Sequence, residues 1–275
     1  MVEFEIVAQG LFRPDQLVMS YDPSLRMMIS PETQAWMDTC WQQKLVQAKR
    51  QGTRLFDAPL FRFVEAAVQD SALHIVVGDT SYKEFVTTRI TEFAASRARH
   101  ELGNALSVCS VIETSDNSIL LDRREGVDLY VGRYHVIGGF CERNLDLACG
   151  YTQLDPFAAI RREIREETGI QSEDIREQYS LGIVYDLAMP HAAICFLTRL
   201  HIPLSEVKMR QPEDDEIKHL STLQVTAENL RIFILRHHRN IAVTGEANLL
   251  LYGAWKFGAS WYEEAMTSIK ESRVQ

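Results

Sequence analysis

Hydrophobic and polar residues alternate in several short runs within the first hundred residues, and glycine, proline or polar residues separate these runs. Alternation of this kind is typical of β-strands, which we predict at residues 2–7, at 16–19 and through 61–88, with 61–64 and 73–77 as their clearest parts. Between them, apolar residues recur at helical spacing from Pro31 to a stop at Gly52, so this stretch is predicted to be a helix. Residues 93–102 are predicted to form a second, shorter helix.

The pattern changes after Gly103-Asn104, and we place a domain boundary there, between residues 1–103 and 104–275. Both parts mix helix and strand, which predicts an α+β protein. The predicted strands of the second part cover 105–112 and 118–121 as a hairpin, 134–137, 181–188 and 192–200. The predicted helices cover 155–168, 226–238 and part of 247–272.

Composition and charge narrow the functional classes. The chain has 275 residues, 46% of them hydrophobic, which is enough for a folded core. Its net charge of −9 disfavours nucleic-acid and membrane-surface partners. Acidic residues near Met1 are unlike a signal peptide, and no apolar run reaches the roughly 20 residues of a membrane span, so we expect a cytoplasmic protein. The five scattered cysteines form no C-x-x-C pair, which disfavours a structural zinc site.

The residues with the clearest chemical meaning lie on the predicted helix 155–168. Glu163, Glu166 and Glu167 share one face of that helix, since residues three and four apart are neighbours. Three carboxylates together suit Mg²⁺ or Mn²⁺ and are poor ligands for zinc. The alternative interpretation is an acidic helix face that only contacts solvent. An apolar stripe on the same helix fixes the acidic edge beside the core. The alternative is disfavoured because an Arg, three Glu, a Gly and two apolar residues occur together in one short segment, which average residue usage would rarely produce.

The two ends of this helix are well specified. Asp155 is a suitable N-cap, Pro156 suits the first helical position, and Gly169 suits the left-handed residue that ends a helix. Arg162 lies four residues before Glu166 and can hold that carboxylate without occupying a metal site. The position and orientation of the acidic face are therefore predicted as well as its charge.

The segment Arg162-Glu163-Ile164-Arg165-Glu166-Glu167-Thr168-Gly169-Ile170 resembles the second half of the Nudix hydrolase signature, R-E-[apolar]-x-E-E-x-G-[apolar]. The first half departs from that signature, because its Glu falls on Leu154 and its Gly on Ala148. Gly138-Gly139 and Glu142 instead resemble the family's G-G-x-x-E turn, which implies roughly nine additional residues in the 140–154 segment, an insertion that costs little closure entropy.

The resemblance implies an α/β/α sandwich with a mixed sheet, preceded here by an N-terminal α+β extension. It also implies Mg²⁺-dependent, or Mn²⁺-dependent, hydrolysis of a nucleoside diphosphate joined to another group. The implied metal ligands are Glu163, Glu166 and Glu167, with the Gly138 carbonyl as a further one, and Arg162 belongs to the same catalytic group. The general base stays open among Glu166, Glu142 and the acidic loop 213–216.

Segments outside the signature resemble the animal Nudix hydrolases that cleave UDP-glucose and UDP-galactose to UMP and sugar 1-phosphate. These segments are Leu55-Phe56-Asp57-Ala58-Pro59, Phe61-Arg62, and Thr80-Ser81-Tyr82 with Phe85. A nucleotide sugar needs stacking surfaces, cations and polar groups, and the candidates are Phe56, Asp57, Arg62, Tyr82, Arg123, Arg124 and Glu142. The alternatives are hydrolysis of another derivative, such as ADP-ribose or NADH, and a non-catalytic Nudix module that senses a nucleotide. The pattern predicts a small-molecule partner and gives no oligomeric state.

Overall fold

The computed structural model describes residues 2–52, 55–125, 129–147, 154–213 and 220–271. The strands in these ranges are β1 (Phe4–Phe12), β2 (Leu17–Tyr21), β3 (Pro59–Gln69), β4 (Ala72–Ser81), β5 (Leu106–Glu113), β6 (Ser118–Arg123), β7 (Tyr134–His135), β8 (Ile137–Phe140), β9 (Ile175–Asp186), β10 (His191–Leu200) and β11 (Leu220–Gln224). The helices are α1 (Pro31–Gln51), α2 (Tyr82–Thr88), α3 (Thr91–Ala94), α4 (Arg143–Asp146), α5 (Pro156–Thr168), α6 (Leu204–Val207), α7 (Ala227–His237), α8 (Val243–Phe257) and α9 (Ala259–Glu271). No helix in the described ranges is long and apolar enough to cross a membrane.

The larger sheet has the strand order β1–β9–β10–β5–β6–β11, and β8 and β7 pair with β5 and β6 respectively. Strand β10 runs parallel to β5, while the other pairings are antiparallel, so the sheet is mixed. The smaller sheet has the order β2–β4–β3 and is also mixed, because β2 runs parallel to β4. The predicted α+β class with mixed sheets is confirmed.

Helices cover both faces of the larger sheet. Successive residues of a strand face opposite sides, and in β10 Ile194 belongs to the core beneath α5 whereas Cys195 belongs to the core beneath α8. Helix α5 contributes Phe157 to the first core, where its ring meets the Phe196 ring at 5.0 Å between centroids. The layers are therefore helix, sheet and helix, as predicted.

Helix α5 forms where the sequence predicts it. The Asp155 carboxylate accepts hydrogen bonds from the backbone N–H groups of Phe157 and Ala158, and Pro156 begins the helix. Gly169 ends it with φ of 72°, and a Cβ there would lie 2.3 Å from the Gln211 carbonyl oxygen. Only glycine suits that position, so the end of the acidic helix is fixed by both conformation and space.

Several predicted elements differ from the structure. Residues 82–88 were expected to be strand and form α2, because Ser81 caps a helix there by accepting from the Glu84 N–H. The predicted helix 93–102 is wrong over most of its length, since α3 ends at Ala94 and a short 3₁₀ turn follows at Arg99–Glu101. Strand β11 was not predicted; it is a largely polar strand that pairs with β6.

The boundary near residue 103 stays a prediction, and the sheet pairing shows how the two parts meet. Strand β1 comes from the first part yet pairs with β9 of the second. Strands β2, β3 and β4 form their own sheet, and Phe61, Phe63 and Ile75 from it join the core beneath α5. The N-terminal part thus contributes both to the larger sheet and to a shared core.

Candidate functional site

The acidic face of α5 lies against strand β8. Glu163 and Glu167 are buried, with 8% and 5% of their surfaces exposed, and Glu166 beside them is half-buried. A Cβ added to Gly139 would lie 2.6 Å from the carboxylate oxygens of Glu163. The Glu163 carboxylate therefore lies directly against the backbone of Gly139.

The glycine pair has no room for side chains. Gly138 has φ of 154°, and a Cβ there would lie 2.1 Å from the Val108 carbonyl oxygen in the neighbouring strand β5. At Gly139 the obstacle is the Glu163 carboxylate itself. Two adjacent glycines thus let a strand and an acidic helix approach each other closely.

Three carboxylates share the guanidinium group of Arg162. Asp146 accepts hydrogen bonds from Nε at 2.9 Å and Nη2 at 3.0 Å, while Nη1 lies 2.9 Å from both Glu163 and Glu166. Burial alone would lower the pKa of Arg162, but Asp146, Glu163 and Glu166 outweigh that effect and raise it. Arg162 is therefore a permanent cation that orients the acidic cluster.

Asp146 is the residue that the sequence analysis missed. Its side chain is 2% exposed and comes from α4, inside the 140–154 segment, sixteen residues before Arg162. Leu154, where the resemblance would place a Glu, is instead buried at 3% exposure. An acidic residue in that segment was the available signal, but the spacing did not single out Asp146 from Glu142.

The other candidates for the base lie at different places around this cluster. Burial raises the pKa of Glu142, Asp146 and Glu166 raise it further, and Arg162 opposes them. Glu213 of the acidic loop pairs with Arg165 at 2.9 Å, and its backbone N–H donates to the Glu166 carbonyl. The rest of that loop, 214–216, lies outside the described residues.

The predicted substrate contacts in the N-terminal part are spread over several environments. Phe56 is 60% exposed, and Asp57 accepts a hydrogen bond from the Lys83 N–H at the start of α2. Tyr82 is half-buried and packs edge-on against neighbouring aromatic rings. Arg62 is 4% exposed and donates to the carbonyls of His100 and Leu102, so its predicted contact with phosphate has no support in this arrangement.

Arg123 is the last residue of strand β6 and Arg124 follows it, and their side chains separate as expected for consecutive residues. The exposed Arg123 lies over the Tyr134 ring, 5.1 Å from its centroid. Arg124 instead lines a cavity of about 40 Å³ next to Gly138 and Gly139, together with His135 and His191. Burial, followed by the charge of Arg124, lowers the pKa of His135 to about 3. This cavity therefore presents an arginine beside the glycine pair, on which the Glu163 carboxylate also lies.

The acidic face of α5 suits a hard divalent cation, because Glu163, Glu166 and Glu167 offer carboxylate oxygens. Glu163 and Glu166 are turned toward Arg162 in this structure. Within the part of the chain that the structure describes, no three His, Cys, Asp or Glu side chains are grouped so as to hold a metal ion. The oxygen donors and their shared place on α5 suit a divalent cation, although the side chains are not grouped around one in this structure. The metal ligands therefore stay a prediction.

Comparisons with known proteins give likeness to solved structures only. No family model and no curated protein matches the sequence. The chain is similar to the Nudix domain of Shewanella oneidensis NrtR, solved with ADP-ribose, at 15% identity and a TM-score of 0.41, covering 61% of this chain and 97% of that one. It is also similar to a putative Nudix hydrolase family member from Chromobacterium violaceum, at 21% identity and a TM-score of 0.36, over 61% of this chain and 89% of that one.

A third similar structure is a Nudix hydrolase from Nitrosomonas europaea, at 16% identity and a TM-score of 0.36, covering 56% of this chain and 90% of that one. Structural likeness at such low sequence identities and TM-scores says nothing of activity or substrate.

Proposed function

We propose that this protein is a divalent-metal-dependent hydrolase of the Nudix type, which cleaves the diphosphate bond of a nucleoside diphosphate derivative. The observation that carries the proposal is the position of Glu163 and Glu167, which are buried on one face of α5, with the Glu163 carboxylate on Gly139. Burial of acidic side chains is costly unless they are paired or bind a cation. Glu163 shares the guanidinium group of Arg162 with Asp146 and Glu166, so three carboxylates face this arginine and an added cation would balance their charge.

Glu163, Glu166 and Glu167 would hold the cation, with the Gly138 carbonyl beside them. When bound, the cation would neutralise the diphosphate and make a bound water more acidic. Arg162 keeps Glu163 and Glu166 in place from the side. Arg124, in the cavity beside the glycine pair, would contact phosphate oxygens, since arginine suits bidentate recognition of phosphate. Glu142 and Glu166, which lie within the described part of the chain, are candidates for accepting the proton of the attacking water.

We further propose UDP-glucose and UDP-galactose as substrates, on the resemblance of the 55–62 and 80–85 segments. The exposed Phe56 ring lies in the first of these segments and offers a stacking surface for a base. The expected products are UMP and sugar 1-phosphate. ADP-ribose and NADH are the competing substrates.

The test is a hydrolysis assay on the purified full chain with Mg²⁺ or Mn²⁺, in which UDP-glucose, UDP-galactose, ADP-ribose and NADH are supplied separately. We expect UMP from the UDP-sugars and a loss of roughly 100-fold or more in Glu166→Gln, as for a carboxylate that acts on the reacting water. Glu206→Gln, which changes an exposed glutamate on α6, is the matched control and should keep full activity.

The other outcomes separate the parts of the proposal. Turnover of ADP-ribose or NADH alone would keep the reaction class and overturn the UDP-sugar assignment. Saturable nucleotide binding with no turnover of any substrate would indicate a non-catalytic sensing module and overturn the hydrolase. Equal activity in wild type and Glu166→Gln would remove this carboxylate from the site.

A further inference from the structure

Helix α4 connects the N-terminal sheet to the acidic cluster. At its first residue, Arg143 Nη1 lies 2.8 Å from the Asp79 carboxylate on β4, and the side chains of this pair are 22% and 10% exposed. The same guanidinium donates to the carbonyls of Leu60 and Thr80, at 3.2 and 3.3 Å. Tyr21 donates to the other oxygen of Asp79 at 2.7 Å. Arg143 is thus held by several contacts to the smaller sheet.

The last residue of the same helix, Asp146, contacts Arg162 on helix α5. It accepts both Arg162 hydrogen bonds described above, and its Oδ2 also accepts from the Glu142 N–H at 2.7 Å. Residues three apart in a helical turn lie on the same side, close to each other. A shift of Arg143 against the N-terminal sheet would therefore move Asp146 against Arg162.

The orientation of Arg162 matters because its Nη1 reaches two of the predicted ligands. A bidentate arginine–carboxylate pair fixes the plane of the guanidinium group, so Asp146 fixes which donor points at Glu163 and Glu166. If Asp146 moves, Arg162 is free to turn further onto these two carboxylates. It would then compete with a cation for the same oxygens.

We propose that Asp79 and Arg143 are positioning residues for the cation site, acting through α4, Asp146 and Arg162. This inference rests on the proposed function for the metal readout, and on the structure alone for the orientation of Arg162. Neither Asp79 nor Arg143 touches the acidic face of α5. Their role is to hold Arg162 against Asp146, which limits its contact with Glu163 and Glu166 to Nη1.

The test compares Arg143→Gln with Arg26→Gln in the full chain. Arg26 lies 3.0 Å from Glu84, a carboxylate that is 9% exposed, so the control removes a similar arginine–carboxylate pair of the N-terminal part that does not involve α4. Two quantities are measured in each protein: the dissociation constant for Mn²⁺, by titration with electron paramagnetic resonance, and the hydrogen exchange of the Arg162 Nε–H, by NMR. Thermal unfolding identifies any variant that fails to fold.

We expect Arg143→Gln to weaken Mn²⁺ binding by about threefold to tenfold, less than the ~10- to 100-fold typical of groups that contact metal ligands directly. Exchange of the Arg162 Nε–H should accelerate in the same variant. Arg26→Gln should change neither quantity. Asp79→Asn should act in the same direction as Arg143→Gln, and the double variant should be no worse than Arg143→Gln alone, as residues of one network behave.

Unchanged Mn²⁺ affinity and unchanged Arg162 exchange in Arg143→Gln would overturn the inference, as would equal changes in Arg26→Gln. If Arg143→Gln does not fold, Arg143→Lys replaces it, since lysine retains the charge but loses the additional contacts to Leu60 and Thr80. If the wild type binds no Mn²⁺, the proposed function fails, and the Arg162 exchange rates alone then decide whether Asp79 and Arg143 position the arginine.

Discussion

Two clusters of buried charge in this molecule are built in opposite ways. At the end of β5, Glu113 is 2% exposed and pairs with two cations, Lys256 at 2.7 Å and Arg199 at 3.3 Å, with a further hydrogen bond from the Tyr252 hydroxyl. Arg199 also pairs with Glu177. In the acidic cluster, Arg162 is shared by Asp146, Glu163 and Glu166, and Glu166 lies 3.7 Å from Arg165. The first cluster thus has two cations for two carboxylates, whereas the second places three carboxylates on one guanidinium group.

The pKa shifts follow this difference. Burial alone would raise the pKa of Glu113, but the hydrogen bonds from Lys256 and Tyr252 bring it below its ordinary value. Beside the acidic cluster, burial raises the pKa of Glu142, Arg162 lowers it, and Asp146 and Glu166 raise it further. A buried carboxylate with sufficient cations stabilises a fold, whereas carboxylates that outnumber the cations beside them favour binding of an added cation. The comparison therefore separates a structural cluster from a candidate functional one.

The largest expected effect is on stability. Glu113→Gln leaves Lys256 without its buried carboxylate and removes one of the two carboxylates that pair with Arg199. Removing one partner of a buried pair costs about 3 kcal/mol or more. We expect that loss in urea unfolding, with Mn²⁺ affinity within twofold of wild type. A variant as stable as wild type would show that the Glu113 cluster does not have the structural role given to it here.

The acidic cluster should give the reverse result. Glu163→Gln leaves Arg162 paired with Asp146 and Glu166, so we expect stability to fall by less than ~1 kcal/mol, as for a neutral hydrogen bond. Its Mn²⁺ affinity should fall by about 10- to 100-fold, the range for disturbed metal sites. Titration calorimetry and urea unfolding measure the two effects, and a large loss of stability at constant Mn²⁺ affinity would make the two clusters alike.

Added metal should stabilise the protein through one cluster only. A ligand that binds the folded state at ten times its dissociation constant contributes about 1.4 kcal/mol. We expect Mg²⁺ to raise the unfolding temperature of wild type and Glu113→Gln, and to leave Glu163→Gln nearly unchanged. An equal rise in all three proteins would show that Mg²⁺ acts elsewhere.

The smallest effect is a difference in pH dependence. Because the pKa of Glu142 is raised on folding, the folded state binds more protons at pH values between the unfolded and the folded pKa. The free energy of unfolding therefore falls as pH rises through this range. Glu113 behaves oppositely: its lowered pKa gives stability that is present above its unfolded value and lost as pH falls through the lowered one.

Urea unfolding from about pH 3 to about pH 7 measures both slopes. Glu142→Gln should remove the decline at rising pH, because the neutral amide has no buried charge to form. Glu113→Gln should remove part of the loss in acid. Identical pH profiles for Glu142→Gln and wild type would show that folding does not raise the pKa of Glu142.

Local signals explain what the sequence predicted well. Helix α5 was predicted to its ends because Asp155, Pro156 and Gly169 each act on their own neighbours. Helix α1 was predicted for the same reason, with its end at Gly52 in the left-handed conformation. The apolar stripe of α5 also predicted that the acidic edge lies beside the core, because the stripe has one orientation against the sheet.

Tertiary contacts explain what was missed. Helix α2 contains β-branched residues that favour strand, but the hydroxyls of Thr87 and Thr88 bond to carbonyls of the preceding turn and Phe85 is fully buried. The contact between Asp146 and Arg162 joins residues sixteen positions apart across the 140–154 segment. No periodicity or spacing reports such a pair.

The pairing of β1 with β9 has a practical consequence for anyone who divides this chain. A fragment that begins at residue 104 would lose β1 and leave the backbone of β9 from Ser180 to Asp186 as an unpaired strand edge. Unpaired strand edges of this kind pair with strands of other molecules and lead to aggregation. An expression fragment should therefore retain residues 4–12, even where the study concerns only the acidic helix.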